Sequence, residues 1–300
     1  MRERRLVPRL ALVLGFAFLY GPILSMIVFS FNNSRLVTVW DAAHSPTLKW
    51  YGALLHNEQI LGAAWLSIRI AVVAASVAVV LGTLAGTALA RLGAFRGRLL
   101  LAGMVTAPIV MPEAITGLSL LLMFVALGQL IGWPKGVGAL TITLAHITFC
   151  MAYVTVVVQS RLAGFDESLE EAAMDLGARP ARVFFRITLP LILPAIVSGW
   201  LLAFTLSWDD LVITQFVAGP GSSTLPMVIF SKVRFGVTPD VNALATIMVL
   251  LVATGVAIST VWTEPVSLRL WQAKCSESTS EGPRSRRGSW ISRAGDSPAS

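Results

Sequence analysis

The sequence predicts an all-helical membrane protein with six spans. Three observations carry this. Of its 300 residues, 55% are apolar and 13% charged, against about 25% charged in an ordinary soluble domain. Six apolar runs each exceed the roughly 20 residues that take a helix across about 30 Å of hydrocarbon. The longest polar interruption between two such runs, residues 161–190, is patterned as helix and not as slack linker.

Residues 1–9 are basic, and residues 10–31 are apolar without a charge. A basic start before an apolar run is also the layout of a signal peptide. This run is too long for one and no small-x-small cleavage site follows, so it is read as a retained first span. Five runs follow, at residues 60–90, 99–127, 136–160, 191–218 and 241–263. Six spans put both termini on one side. With the N-terminus inside, the inner segments hold 17 Lys and Arg and the outer segments 5. The positive-inside rule then predicts cytoplasmic termini and a cytoplasmic 161–190 segment. The +7 net charge is therefore mostly topology, and no basic stripe points to nucleic acid.

The outer segment 32–59 contains Trp40, Trp50 and Tyr51, residue types that favour the bilayer surface. Residues 219–240 open on Gly219-Pro220-Gly221-Ser222-Ser223 and continue with an apolar stretch from Leu225 to Phe235, the pattern of a tight turn and a short surface helix. After residue 264 the composition shifts. Residues 276–300 are rich in Ser, Arg and Gly and carry too little apolar surface to order themselves. The expected layout is a basic N-terminus at 1–9, a membrane domain at 10–263 and a cytoplasmic tail at 264–300.

Within 161–190, Asp166 suits a helix N-cap, and Glu167, Glu170 and Glu171 suit the positive end of the helix dipole. Leu169, Ala172, Ala173 and Leu176 share one face at helical spacing. Gly177 stands where a left-handed residue ends the helix. Pro180 suits the first turn of a second short helix, and Pro190 is expected to break it from the next apolar run. An amphipathic knob of this kind is suited to a partner's groove.

Ionisable residues inside spans are costly, so each marks a functional candidate. Glu113 follows Pro108 and Pro112, two prolines that must loosen the helix and free carbonyls. Two readings stand: a broken helix on a transport pathway, or a kinked packing site with Glu113 paired to a neighbour such as Arg69. Asp209 and Asp210 lie near the outer end of the fifth span, either as attractors of a cation and an outer gate or as a solvated helix end. Arg69, at similar depth, either neutralises one of these acids or snorkels outward. His146 reads as a satisfied packing residue. The two Cys and three His show no disulfide or metal-ligand pattern. Gly-Lys never occurs, so no P-loop is present. No catalytic constellation supports an enzyme, and no cofactor is expected.

The motif Glu171-Ala172-Ala173, three residues, Gly177, nine residues, then Ile187-x-Leu189-Pro190 resembles the "EAA" loop of ABC importer permeases. The stretches FLYGPILSMIVFSFNNSRLVTVW, TAPIVMPEAITGLSLLLMFVALG and SGWLLAFTLSWDDLVITQFVAGPGSSTLPMVIFSKVRFGVTPDVNALATI extend the resemblance over most of residues 10–262, to the spermidine/putrescine permeases. It implies a type I (MetI-like) permease fold with cytoplasmic coupling helices, in a bacterial inner membrane. It implies a second homologous permease, a cytoplasmic ATPase dimer that binds the ATP, and a periplasmic polyamine-binding protein. ATPase coupling would fall to Glu171, Ala172, Ala173, Gly177, Ile187, Leu189 and Pro190. The same architecture also serves importers of iron, sulfate or amino acids. The resemblance fades after about residue 264.

Overall fold

The structure is a computed structural model; it describes residues 6–34, 39–235, 238–250 and 253–254. The chain divides into two compact units, residues 1–30 with 242–300, and residues 31–241. Every regular element among the described residues is helical.

In the first unit, α1 (Leu6–Phe29) carries no charge after Arg9 and tolerates Pro22 in its interior. The second unit opens with a structured loop. Asn32 is fully buried; its Oδ1 accepts from Asp41 N and its Nδ2 donates to Val39 O. Trp50, on α2 (Lys49–Leu55), donates its indole N–H to the Asn32 carbonyl at 2.7 Å. Trp50 is thus tied into this loop by its polar edge.

The core of this unit is a three-helix bundle of α3 (Glu58–Arg91), α6 (Ala139–Ala163) and α9 (Leu189–Asp209). Small residues set its closeness. A Cβ on Gly82 would stand 2.8 Å from the Val154 side chain, and one on Gly86 2.9 Å from the Thr155 carbonyl oxygen. In hydrocarbon, helices gain little from burying apolar surface against each other, so close backbone approach and dispersion hold them together. Ile142, Val154, Val158 and Ile192 fill the seam with no exposed surface.

The run expected as a single third span is two helices, α4 (Arg98–Val110) and α5 (Glu113–Ile131). Met111 and Pro112 between them are extended, at ψ 141° and 134°. Pro108, inside α4, leaves the helix intact; the break falls before Pro112, because a residue preceding proline is pushed out of the α region.

Two expectations about the fifth span are corrected. Pro190 does not separate a second short helix from the span. Instead α8 (Pro180–Val183) runs through a π-turn at Phe184–Thr188 into α9, one helical stretch over Pro180–Asp209. The π-turn routes the Leu189 N–H to the Phe184 carbonyl. That extra residue relieves the clash a proline ring makes with the carbonyl four residues before it. The span also ends earlier than residue 218. Asp210 is extended (ψ 124°), and α10 (Val212–Val217) is a separate short helix packed on α5.

The expected turn and surface helix are present. Gly221 has φ +74°, Ser222 N donates to Gly219 O, and α11 (Leu225–Phe235) follows. The Ser67 hydroxyl accepts the Leu225 N–H at 2.8 Å, pinning α11 to α3. A further helix, α12 (Pro239–Leu250), stands where the sixth span is expected. The remainder of 241–263 beyond residue 254 and the 264–300 tail lie outside the described residues.

Candidate functional site

The 161–190 segment builds one free helix and the root of another. α7 (Ser168–Asp175) has no buried residue. Asp166 Oδ1 accepts the Ser168 N–H at 3.0 Å, closing its N-terminus. Those bonds from the Ser168 backbone and side chain hold the exposed Asp166 carboxyl below its ordinary value. At the other end Ala178 N donates to Ala173 O and Gly177 N to Met174 O, with Gly177 at φ +84°. These are the two bonds of a Schellman motif, whose left-handed residue is cheap only as glycine. The helix is thus closed at both ends without leaning on a core.

Its three glutamates divide by direction. Glu167 Oε1 lies 2.7 Å from Arg91 Nη1, and Glu170 Oε2 3.3 Å from Arg91 Nε, at the last turn of α3. Glu170 Oε1 also accepts from the Thr188 hydroxyl at 2.9 Å. Glu171 is exposed and makes no ion pair among the described residues. Around it Ala172 and Gly177 are exposed and Ala173 half-buried. Leu169, Met174, Leu176 and Phe185 add exposed apolar surface, Leu176 at 91%. Ile187 and Leu189 are half-buried in the root of α9, and Pro190 is exposed.

The adjacent acids of the fifth span also divide. Asp209 is exposed, whereas Asp210 is buried. Asp210 caps α10, accepting from the backbone N–H of Ile213 and Thr214 and from the Thr214 hydroxyl. His146 Nε2 lies 3.1 Å from Asp210 Oδ2, and His146 Nδ1 2.7 Å from the Ser207 hydroxyl. An ionised carboxylate offers acceptors only, so with a neutral ring the proton sits on Nε2 and Nδ1 accepts from Ser207. His146 is a satisfied packing residue, as its sequence context suggests, and its partner is the very acid offered above as a gate. The side chains of His146 and Asp210 are 2% and 5% exposed. A pair so enclosed links α6, α9 and α10.

Glu113 is exposed as the first residue of α5, where a carboxylate suits the helix dipole. It has no ion pair among the described residues. Arg69 is exposed as well, pairs with none of Glu113, Asp209 and Asp210, and lines a groove of ≈ 440 Å³ with Glu58, Trp65 and Ser223. An aromatic ladder runs along α9 and ends at Trp208, the residue before Asp209. Trp200 stacks on Phe204 and Phe204 on Trp208, with ring centroids 5.5 and 5.9 Å apart.

Sequence reasoning missed the role of Arg91 and the partners of His146. An Asp followed four residues on by Thr before a short apolar turn carries a cap signal for Asp210. No local signal links Arg91 to Glu167, 76 residues away.

Residues 78–272 match the family described as binding-protein-dependent transport system inner membrane component. The chain is 58% identical over 251 residues to the putrescine transport system permease protein PotI of Escherichia coli (strain K12), covering 84% of this chain and 88% of that protein. It is 43% identical over 236 residues to the spermidine/putrescine transport system permease protein PotC of the same strain, covering 79% of this chain and 86% of that protein. Among solved structures, a bacterial ABC transporter involved in the import of the acidic polysaccharide alginate superposes with a TM-score of 0.66 at 17% identity, over 89% of this chain and 96% of that chain. At that identity the likeness speaks for the fold.

Proposed function

The chain belongs to the family of binding-protein-dependent transport system inner membrane components, and from that premise we propose that it is a permease subunit of an ATP-driven polyamine importer, with putrescine the first substrate to test. One observation carries the substrate class: the 58% identity to a putrescine permease over most of both chains. The fold is that of a type I (MetI-like) importer permease, and the protein is a multi-pass inner-membrane component.

The subunit forms half of a pathway whose other half is a second, homologous permease. ATP is bound and hydrolysed by a cytoplasmic ATPase dimer, and a periplasmic binding protein delivers the ligand. This chain is the non-catalytic member. The 17-to-5 distribution of Lys and Arg supports cytoplasmic termini and a cytoplasmic 161–190 segment. There Glu171, Ala172, Ala173 and Gly177 present an ordered, uncovered helix to the ATPase, with Ile187, Leu189 and Pro190 rooting the segment in the fifth span.

On the pathway side, Asp209 is the acid available to a cation. Its exposure, on the helix that carries the stacked rings of Trp200, Phe204 and Trp208, suits a ligand with ammonium ends and a methylene middle. Glu113 at the helix break and Arg69 in the outer groove are secondary pathway candidates.

The experiment is uptake of labelled putrescine and spermidine in a strain lacking this chain, with and without the chain restored. Restoration of putrescine uptake is the expected result. Restoration of neither polyamine overturns the substrate assignment.

A further inference from the structure

Two of the three glutamates at the start of α7, Glu167 with its side chain 61% exposed and Glu170 20% exposed, turn from the Glu171 side to meet the end of α3. Arg91 receives both. Its guanidinium sits 2.7 Å from Glu167 Oε1 and 3.3 Å from Glu170 Oε2, and its side chain is 13% exposed. The remaining Glu170 oxygen holds the hydroxyl of Thr188, which is 4% exposed and ends the π-turn at the root of α9. One chain of two ion pairs and a hydrogen bond therefore runs from the end of α3, through α7, to the root of α9.

Apolar packing offers α7 little alternative anchorage. None of its residues is buried, and Leu169, its inward apolar side chain beside Phe165, Leu191 and Ile192, remains 52% exposed. The helices at the far ends of the clamp are the opposite. α3 packs along both α6 and α9, and at Gly82 and Gly86 it approaches α6 too closely to slide freely. Arginine suits this junction because its planar fork engages two carboxylates at once and never loses its charge, which a lysine ammonium does as a single point. Partial burial shields the Arg91–Glu170 pair from salt more than the Arg91–Glu167 pair, whose carboxylate is largely exposed.

We propose that Arg91 is a positioning residue for energy coupling: by holding Glu167 and Glu170 it makes α7 move as one body with α3 and α9, so that force applied at the Glu171 face reaches the spans. The proposal rests on the reading of 161–190 as the ATPase handle. The π-turn between α8 and α9 is the compliant segment that the Glu170–Thr188 bond bridges, since a wide turn with poorer hydrogen-bond geometry bends more easily than α-helix. Without the clamp, α7 stays capped at both ends and still docks, but its displacement is taken up by the turns at Gly164 and Gly177.

The test uses the assembled complex in membrane vesicles, with Arg91→Gln and Glu170→Gln made singly and together and Arg91→Lys as the conservative control. Three quantities are read: co-purified ATPase, ATP hydrolysis, and putrescine imported per ATP hydrolysed. The expected result is unchanged co-purification, retained hydrolysis, and import per ATP reduced about tenfold, within the range of ordinary coupling free energies. The double variant is no worse than Arg91→Gln alone, because both remove one link, and Arg91→Lys recovers part of the ratio. An unchanged ratio in both single variants overturns the proposal. So does a loss of uptake that merely follows a loss of assembled complex, which marks a structural role. Failure of the handle reading is separately visible, because ATPase would then co-purify normally with Glu171→Lys and Gly177→Asp.

Discussion

The α3–α6–α9 bundle and the α7 knob solve opposite problems. The bundle is closed on itself: glycines at 82 and 86 let two helices meet, and His146, Ser207, Asp210 and Thr214 satisfy one another inside it. The knob is ordered without being closed. Its cap at Asp166 and its Schellman turn at Gly177 fix its shape, yet it buries nothing of its own. Shape held by local bonds, with apolar surface left over, is what a docking element requires. Substitutions in the bundle should therefore reduce the amount of folded protein, whereas substitutions in the knob should reduce the work done by each molecule.

The sharpest break comes from Asp210→Ala. It strips His146 and Thr214 of their shared acceptor and α10 of its cap, and each buried donor left unsatisfied costs about 1–3 kcal/mol. The expected outcome is little inserted protein, measured by membrane immunoblot, with Asp209→Ala normal in the same assay. Gly86→Val comes next. Its side chain meets the Thr155 carbonyl, and overpacking costs about 1–3 kcal/mol. Lower thermal stability of the detergent-solubilised protein checks it; Gly103, with nothing within 4 Å of a Cβ, should accept Val without loss.

Gly177→Asp tests the other side of the comparison. The φ of +84° costs an L-residue about 1–2 kcal/mol, local to the knob. Insertion should stay near normal while uptake and ATPase co-purification are lost; Glu171→Lys should behave alike through charge alone. Asp209→Asn should leave both insertion and ATPase binding intact and raise the KM for putrescine, with an unchanged KM excluding it from the pathway. The smallest effect belongs to Asp166. Its pKa is held below 3.8, so its ionised cap is whole above that value and is lost only as pH falls through the lowered pKa. Uptake by Asp166→Asn should therefore run parallel to wild type between pH 5 and pH 8. A divergence inside that window would show that another group governs the cap.

Much of this was legible in the sequence because it rests on local chemistry. Apolar run length marked the spans, Pro112 marked the break before Glu113, and Asp166, Gly177 and Pro180 marked the ends of the two short helices. The fifth span was misjudged at both ends for one reason. Pro190 was weighed as a breaker and Asp210 as a gate or a solvated helix end, each apart from its neighbours, whereas the first is absorbed by a π-turn and the second ends α9 against His146.

The sequence by itself determined the class of molecule, its spans, and the knob with its conspicuous acids, since periodicity, capping and hydrophobic length act over a few turns of chain. Only the tertiary structure decided what each acid faces. Asp209 and Asp210 are neighbours with the same carboxylate, and Glu170 and Glu171 likewise. A step of about 100° around α7 separates Glu170 from Glu171, and the end of α9, where the chain turns extended at Asp210, separates Asp209 from Asp210; in each pair one acid faces the protein and the other is exposed. Which direction is inward depends on helices contributed from 60 to 80 residues away, and no local pattern encodes that.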